Sequence, residues 1–356
     1  VSLTVRRAVD ADRAAWDAFV AAEPSADILQ AWAWGEAWRP DGETPVRLIA
    51  LDDDQVRAVA QLLVRPTSAR RTMAYVPHGP VWQRDAGDGA DVVDRLVAAI
   101  GDIAREERSI VVKLDPRASP DGALTEIEAL ARRNGLLRSR HDLQATTTRI
   151  VELLDGGEAL ARTWHKDERN RVRRAAREGV ATSVSTNGDP VGVAAFADLL
   201  RDTSTREGFR SRSAAFIERL ATELVPPAAW CLSLAKLGGR PIAGVATPRM
   251  GDRAWYLYGA SRRDPELQHA FGSDAAMAAA MAALAADGVR TLDMWGVAEP
   301  DDATADPAWA GFSLFKRRFG GRPLRHPGTF DLVIDRPMYL VRDARERMVD
   351  AIGGRR

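Results

Sequence analysis

The sequence predicts an α+β chain of two tandem, similar domains, each a mixed and largely antiparallel sheet flanked by helices. Residues 46–116 and 230–297 spell one order of elements twice: strand, tight turn, strand, aromatic-rich strand, helix, strand. The length of 356 residues suffices for two or three domains. An apolar fraction of 46% is ordinary and supports sizeable cores. A duplicated unit of this kind predicts a cleft between the two domains, and clefts between domains are favoured ligand sites.

The elements follow in order. LTVRRA reads as a strand and 11–22 as a helix with Asp10 as its cap. The helix ILQAWAWGEAWR carries Trp32, Trp34 and Trp38, whose spacings of two and four make no single stripe, so at least one indole is expected at a groove. The first copy then runs VRLIAL, the turn Asp52-Asp53-Asp54, VRAVAQLLV, MAYV, a helix over 89–107 and SIVVKLDP. An amphipathic helix over 124–134 ends at Gly135, and a strand over 145–154 is expected to close the first domain. One basic helix over 158–178, the strand VATSVS and helices over 190–207 and 213–224 lead to the second copy. That copy is WCLSLAK, Gly238-Gly239, PIAGVATPRM, WYLYGAS, an alanine-rich helix over 272–287 and RTLDMWGV. A polar loop DDATADPAWAG, the helix FSLFKRRF and FDLVI end the fold, returning to the first domain. The expected domains are 1–150, completed by 318–356, and 151–317.

Composition bounds the function. Fifty acidic and fifty basic side chains cancel, so a polyanionic partner must be met by a local patch. The single Cys231 forms no intrachain disulfide and reads as a buried structural thiol in a reduced, intracellular chain. No apolar run reaches the roughly 20 residues of a membrane span, and no signal-peptide core is visible, so a soluble cytoplasmic protein is expected. The segment 336–356 alternates basic and apolar residues; a docked surface helix is the favoured reading over a lipid anchor.

The five histidines are scattered and cysteine pairs are absent, so no metal site is expected. No Walker loop, G-x-S-x-G elbow or histidine-linked nucleophile appears. The βββαβ order resembles the GNAT acyltransferase fold, which grips coenzyme A through R/Q-x-x-G-x-G/A at the start of its central helix. The second copy reads Gln268-His269-Ala270-Phe271-Gly272 there; the first has Arg84-Asp85-Ala86-Gly87-Asp88-Gly89, whose two aspartates oppose a pyrophosphate.

Five segments carry a more specific resemblance: Ile28–Gly35, Ala74–Val81, Asn170–Ala175 with Glu178-Gly179-Val180, Leu257–Ser261, and Asp293–Gly296 leading to Gly311–Lys316 and Phe319-Gly320-Gly321. Their order and spacing resemble the Fem family, tRNA-dependent transferases that add amino acids to peptidoglycan precursor peptides on two tandem GNAT-like domains. The long coiled-coil arm of some members is absent, as in the compact type.

The resemblance implies an aminoacyl-tRNA co-substrate, no cofactor, and a UDP-linked or lipid-linked muropeptide acceptor, with peripheral membrane contact through the latter. It implies a catalytic Lys316, which in SLFKRRFGG can neutralise an ester oxyanion or a tRNA phosphate; the competing reading is a solvated basic helix. Asp115 matches the family's Asp-Pro and is either the acceptor of the amine's proton or a turn cap. Lys166, Arg169, Arg171 and Arg173, with Arg317 and Arg318, form the expected tRNA patch, or else an exposed helix held by its own ion pairs. For the acceptor, Trp38 or Arg39 stands where relatives carry a lysine, Thr205-Arg206-Glu207-Gly208-Phe209 matches a second contact region, and Tyr256 or Tyr258 lines a peptide groove. Two alternatives stay open: an N-acyltransferase using acyl-coenzyme A or acting on another small amine, and a non-catalytic binder of tRNA or wall precursors.

Overall fold

The computed structural model describes residues 3–67, 70–84, 87–118, 124–153, 157–208, 212–267, 269–301 and 309–351. Asp85 and Ala86 of the glycine-rich match, Phe209, Gln268, most of the polar loop (302–308) and Ile352 lie outside them. The chain divides into two compact units, 1–144 with 327–356, and 145–326.

In the first unit, β1 (Leu3–Arg7), α1 (Arg13–Ala22) and α2 (Trp32–Trp38) precede the hairpin β2 (Thr44–Asp52) and β3 (Gln55–Pro66). Its two-residue turn places Asp53 in the left-handed region at φ 51°. There follow β4 (Thr72–Val76), β5 (Val81–Trp82), α3 (Gly89–Glu106), β6 (Ser109–Leu114), α4 (Leu124–Arg133) and β7 (Leu137–Arg138). Residues 58–64 of β3 are buried without interruption, the pattern of a strand covered on both faces. Helix α3 covers one face with Val92, Val93, Leu96, Val97, Ile100 and Ile103, at the three-and-four spacing of an apolar stripe. Strands β4 and β6 run parallel, joined through α3.

The second unit begins with β8 (Thr147–Glu152), α5 (Gly157–Arg162), α6 (Lys166–Arg177), β9 (Ala181–Ser185), α7 (Pro190–Glu207) and α8 (Ala214–Glu223). Then come β10 (Ala228–Ala229), β11 (Leu232–Leu237), β12 (Arg240–Ala246), β13 (Arg249–Met250), β14 (Arg253–Trp255), β15 (Tyr258–Ser261), α9 (Gly272–Ala286), β16 (Thr291–Gly296), α10 (Ala310–Arg318) and β17 (Arg322–Arg325). The aromatic strand is split: β14 pairs parallel with β16, whereas β15 pairs antiparallel with β12, giving separate sheets β10-β13-β14-β16-β8-β17 and β15-β12-β11-β9. The alanines of α9 let it sit close on β11 and β12, with Met277, Met281 and Leu284 filling the core. Cys231 is fully buried in the same core.

The chain then returns to the first unit as β18 (Phe330–Val333), antiparallel between β6 and β7, and α11 (Arg336–Ala351).

Two expectations need correction. The boundary lies at 144/145 rather than 150, because β8 hydrogen-bonds to β16 and β17; for the same reason the return to the first unit starts at 327, after α10 and β17, rather than 318. The basic helix over 158–178 is broken between α5 and α6, where Trp164 turns inward onto Phe319 with ring centroids 5.2 Å apart and His165 caps α6 by accepting from the Asp167 amide. Trp32 and Trp34 are core residues, Trp32 lying edge-on to Trp16 and under the Arg47 guanidinium; only Trp38 is half-exposed.

Candidate functional site

Lys316 lies inside the second unit, not on a solvated helix face. Phe319, one turn on, is fully buried and anchors α10 against Trp164 and Phe315. That anchoring turns Lys316 inward, 7% exposed, where Nζ donates to the Gly296 carbonyl at 2.6 Å. The ammonium stands 5.4 Å from the Tyr256 ring centre and 5.0 Å from that of Phe312. Burial pulls it down to about 7 against the opposing charge of Asp293. Ring faces favour the charged form as well.

The acceptor is set by the end of β16. Trp295 adopts a left-handed φ of 62° and its amide is held by Asp293 Oδ1 at 2.7 Å, so the strand bulges before Gly296. A Cβ on Gly296 would meet the Ala145 Cβ at 2.7 Å, so only glycine fits. Among the described residues Gly296 is the one hydrogen-bond acceptor of Lys316, whose ammonium has three N–H donors.

A cavity of about 450 Å³ opens at the start of α9. Arg171 of α6 and Arg262 and Arg263 after β15 line it. Phe271 enters the helix at a left-handed φ of 50° with no side-chain cap, leaving the first-turn amides without intrahelical partners. The arginines are partly balanced: Arg171 by Asp274 at 3.6 Å, Arg262 by Asp202 at 3.3 Å and Arg263 by Glu207 at 3.3 Å. Arg171 and Arg174 also cover the Phe271 ring. Beneath them Glu168 is fully buried; burial, then the neighbouring Asp274, pushes its carboxyl well above the usual range, so that pair holds a proton.

In the first unit, Asp115 follows β6 and is 5% exposed. Oδ2 accepts from the Tyr75 hydroxyl at 2.7 Å and Oδ1 from the His78 amide at 2.5 Å, while Gln144 donates to the Tyr75 oxygen at 3.0 Å. Burial pushes Asp115 up to about 6, against the opposing pull of His78 and the Tyr75 hydrogen bond. Nearby, Asp27 is fully buried between His78 Nδ1, at 3.1 Å, and Arg117. Burial alone would raise Asp27; His78 and Arg117 outweigh it and hold the carboxyl well below its usual range.

The remaining expected residues divide. Lys166 and Arg173 project outward, whereas Arg169 is tied to the Trp164 carbonyl at 2.5 Å and Arg317 donates to that of Ala298. Arg318 is half-buried near Glu168. Trp38 lies edge-on to Trp34, and Arg39 is bound to Glu36 at 2.5 Å. Thr205 is turned back onto the Arg201 carbonyl, and Arg206 donates to Ser261 O at 2.9 Å. Burial raises both tyrosines: Tyr256, packed on Phe315, and Tyr258, pushed up to about 12 with Arg212 beside it opposing. Lys316 and Tyr256 are therefore brought together, and Arg171 joins a cavity.

Sequence reading did not single out Arg262, Arg263, Glu168 and Asp274. The cue lay in Phe271-Gly272 opening a helix just after Arg262-Arg263. Among the described residues, no group of three or more His, Cys, Asp or Glu side chains is arranged to hold a metal ion.

The GNAT acetyltransferase domain profile matches residues 162–304. A lipid II:glycine glycyltransferase of Staphylococcus saprophyticus is 29% identical over 64% of this chain and 55% of its own length. The chain thus spans little more than half of that relative. The protein of that name from Staphylococcus epidermidis is 23% identical over 94% of this chain and 95% of its own. The FemX crystal structure superposes with a TM-score of 0.81 at 20% identity, over 95% of this chain and 99% of that one. A tandem GNAT protein of clavulanic acid biosynthesis gives 0.56 at 14% identity, over 94% and 99%. No described helix exceeds 18 residues, so no long arm is present among them. With its duplicated strand–helix units, the chain is similar in sequence to the lipid II:glycine glycyltransferases and shares the fold of FemX.

Proposed function

We propose that this protein transfers an aminoacyl group from aminoacyl-tRNA to an amine of a lipid-linked peptidoglycan stem peptide, forming a peptide bond in a cross-bridge. The observation that carries the reading is the seat of Lys316: a buried ammonium fixed by one carbonyl, with further N–H donors to offer. An aminoacyl ester is already activated. The amine nitrogen attacks the ester carbon, the carbonyl oxygen becomes an oxyanion, and the C–O bond to the ribose breaks. Lys316 stabilises that oxyanion, where a preorganised donor in a dry site is most effective. Poised near neutrality, it also has a proton to give the departing ribose oxygen. The proton that the attacking amine loses restores the charge on Lys316, which balances the step.

The exposed Lys166 and Arg173, with the arginine-lined cavity at α9, suit the phosphates of a tRNA acceptor end. The name of the staphylococcal relatives favours a lipid-linked over a UDP-linked acceptor. The same cavity and the GNAT profile favour one second reading, an acyl-coenzyme A donor with its pyrophosphate at the α9 amides.

The test is transfer of a labelled amino acid from a mixed charged tRNA pool to lipid-linked and UDP-linked muropeptides, with and without ribonuclease. Ribonuclease-sensitive labelling of the lipid-linked precursor is expected. Labelling that survives ribonuclease overturns the tRNA donor, and labelling of the UDP-linked precursor alone overturns the lipid-linked acceptor.

A further inference from the structure

Helix α11 is built inside out. Tyr339, Arg342, Glu346 and Asp350, at spacings of three and four, form its protein-facing side. Tyr339 donates to Asp331 at 3.0 Å, Arg342 to Glu346 at 2.8 Å and to the Met73 sulfur, and Asp350 accepts from Arg140 at 2.8 Å. The outward side is the apolar one. Pro337, Leu340, Val341, Ala344 and Met348 fall on one stripe at helical spacing, with Leu340 56%, Val341 66% and Met348 63% exposed. Val349, 53% exposed, lies further round the helix, next to Arg342. Of the twelve large apolar side chains exposed among the described residues, Leu340, Val341 and Met348 share this one stripe, so the patch is not the ordinary scatter of surface hydrophobes.

Charge brackets the stripe. At 100° per residue, Arg336 and Arg347 fall along one margin and Arg345 along the other. Arg347 is paired with Asp343, whereas Arg336 and Arg345 have no carboxylate partner among the described residues. An apolar stripe flanked by arginines is the pattern of a helix lying in the interface plane, its apolar side chains among acyl chains and its guanidiniums at lipid phosphates. A docked globular helix has the reverse polarity. No helix of the described residues is long and apolar enough to cross a membrane, so the contact is one of lying on the surface.

We propose that the outer face of α11 is a membrane-docking surface that seats on a bilayer rich in anionic phospholipid, through Leu340, Val341 and Met348 with Arg336 and Arg345. The inference goes beyond the transfer reaction and does not depend on the acyl donor. It offers a route by which the protein reaches a lipid-linked acceptor.

The test is flotation of the full chain with vesicles of phosphatidylcholine alone or with phosphatidylglycerol at about one part in three. The wild type floats with the mixed vesicles, and less as salt rises. L340S/V341S/M348S, whose changes all point outward, lowers vesicle affinity by about tenfold or more, and R336E/R345E abolishes the preference for anionic vesicles. Transfer to a water-soluble, lipid-trimmed acceptor stays at the wild-type rate in both variants, whereas transfer to vesicle-embedded acceptor falls. Wild-type protein that floats with neither vesicle overturns the proposal, as does serine-variant binding equal to wild type. A concentration-dependent dimer abolished by the serine changes, without vesicle binding, assigns the face to a second copy instead. Loss of transfer to both acceptors in the wild type counts against the proposed reaction and leaves the flotation result to stand alone.

Discussion

The two units break their third strand at the same place and fill the break differently. In the first, β4 and β5 are separated by Pro77-His78-Gly79-Pro80, and the gap is packed with the chain's own groups: Gln30 donating to the Pro77 carbonyl, and Asp27 held by His78 and Arg117. The entry to the following helix is closed too, Arg84 lying over Trp82 and donating to the Arg117 carbonyl. In the second unit β14 and β15 part at Tyr256-Leu257; Tyr256 faces the Lys316 ammonium, and the helix entry opens into a cavity. One topology thus serves twice, once closed by a buried ion cluster and once opening into a cavity.

That contrast predicts that damage to the first break lowers stability and damage to the second lowers turnover. The largest effect is expected from Asp27→Ala, which strands His78 and Arg117 and costs about 3–5 kcal/mol in denaturant unfolding. A loss under about 1 kcal/mol would show that the ion cluster does not close the gap. Lys316→Ala should reduce turnover at least about tenfold, the scale of 1.4 kcal/mol in transition-state stabilisation, without lowering the unfolding midpoint. Undiminished turnover in the folded variant would remove Lys316 from the mechanism.

A subtler expectation concerns pH. Lys316 has a folded value near 7, below that of an unfolded lysine, so between about pH 7 and 10 the unfolded chain binds the extra proton and stability rises with pH. Below pH 7 both states are protonated and the cost of burying the charge is fully present. Lys316→Met should therefore be at least as stable as wild type at pH 6, with the wild type gaining on it as pH rises; parallel stability curves would contradict the buried ammonium. The smallest effect is expected from Arg173→Ala on the exposed side of α6. It should raise the tRNA KM modestly and reduce its log–log salt slope by roughly 0.7–0.9 for each phosphate that Arg173 neutralises. An identical slope would mean a solvated face.

The duplicated order and the tandem GNAT-like fold were legible in the sequence because each rests on local pattern: period, turn residues and motifs with their spacing. What stayed hidden depends on side-chain direction. SLFKRRFGG does not say that Phe319 rolls the helix so that Lys316 points inward. The three tryptophans near residue 34 carry no mark that two are core. The pairing of β8 with β16 was missed because hydrophobic alternation shows that a segment is a strand, not which sheet receives it. Arg262 and Arg263 gain meaning only once β15 ends beside the first turn of α9.

The position of β18 has a consequence for biogenesis. The first sheet needs Phe330–Val333 between β6 and β7, yet the whole second unit is encoded between β7 and β18. At about 5–20 residues per second, a ribosome takes roughly 10–40 s to pass from the end of the first unit's leading segment to β18. Through that interval β6 waits with an open edge, the kind of template on which nascent chains misassemble. The inserted unit, contiguous in sequence, is free to fold first. A circular permutant that opens between the units and joins β18 to the leading segment would bring the last strand next to its sheet in synthesis, shortening the nascent chain's wait for it.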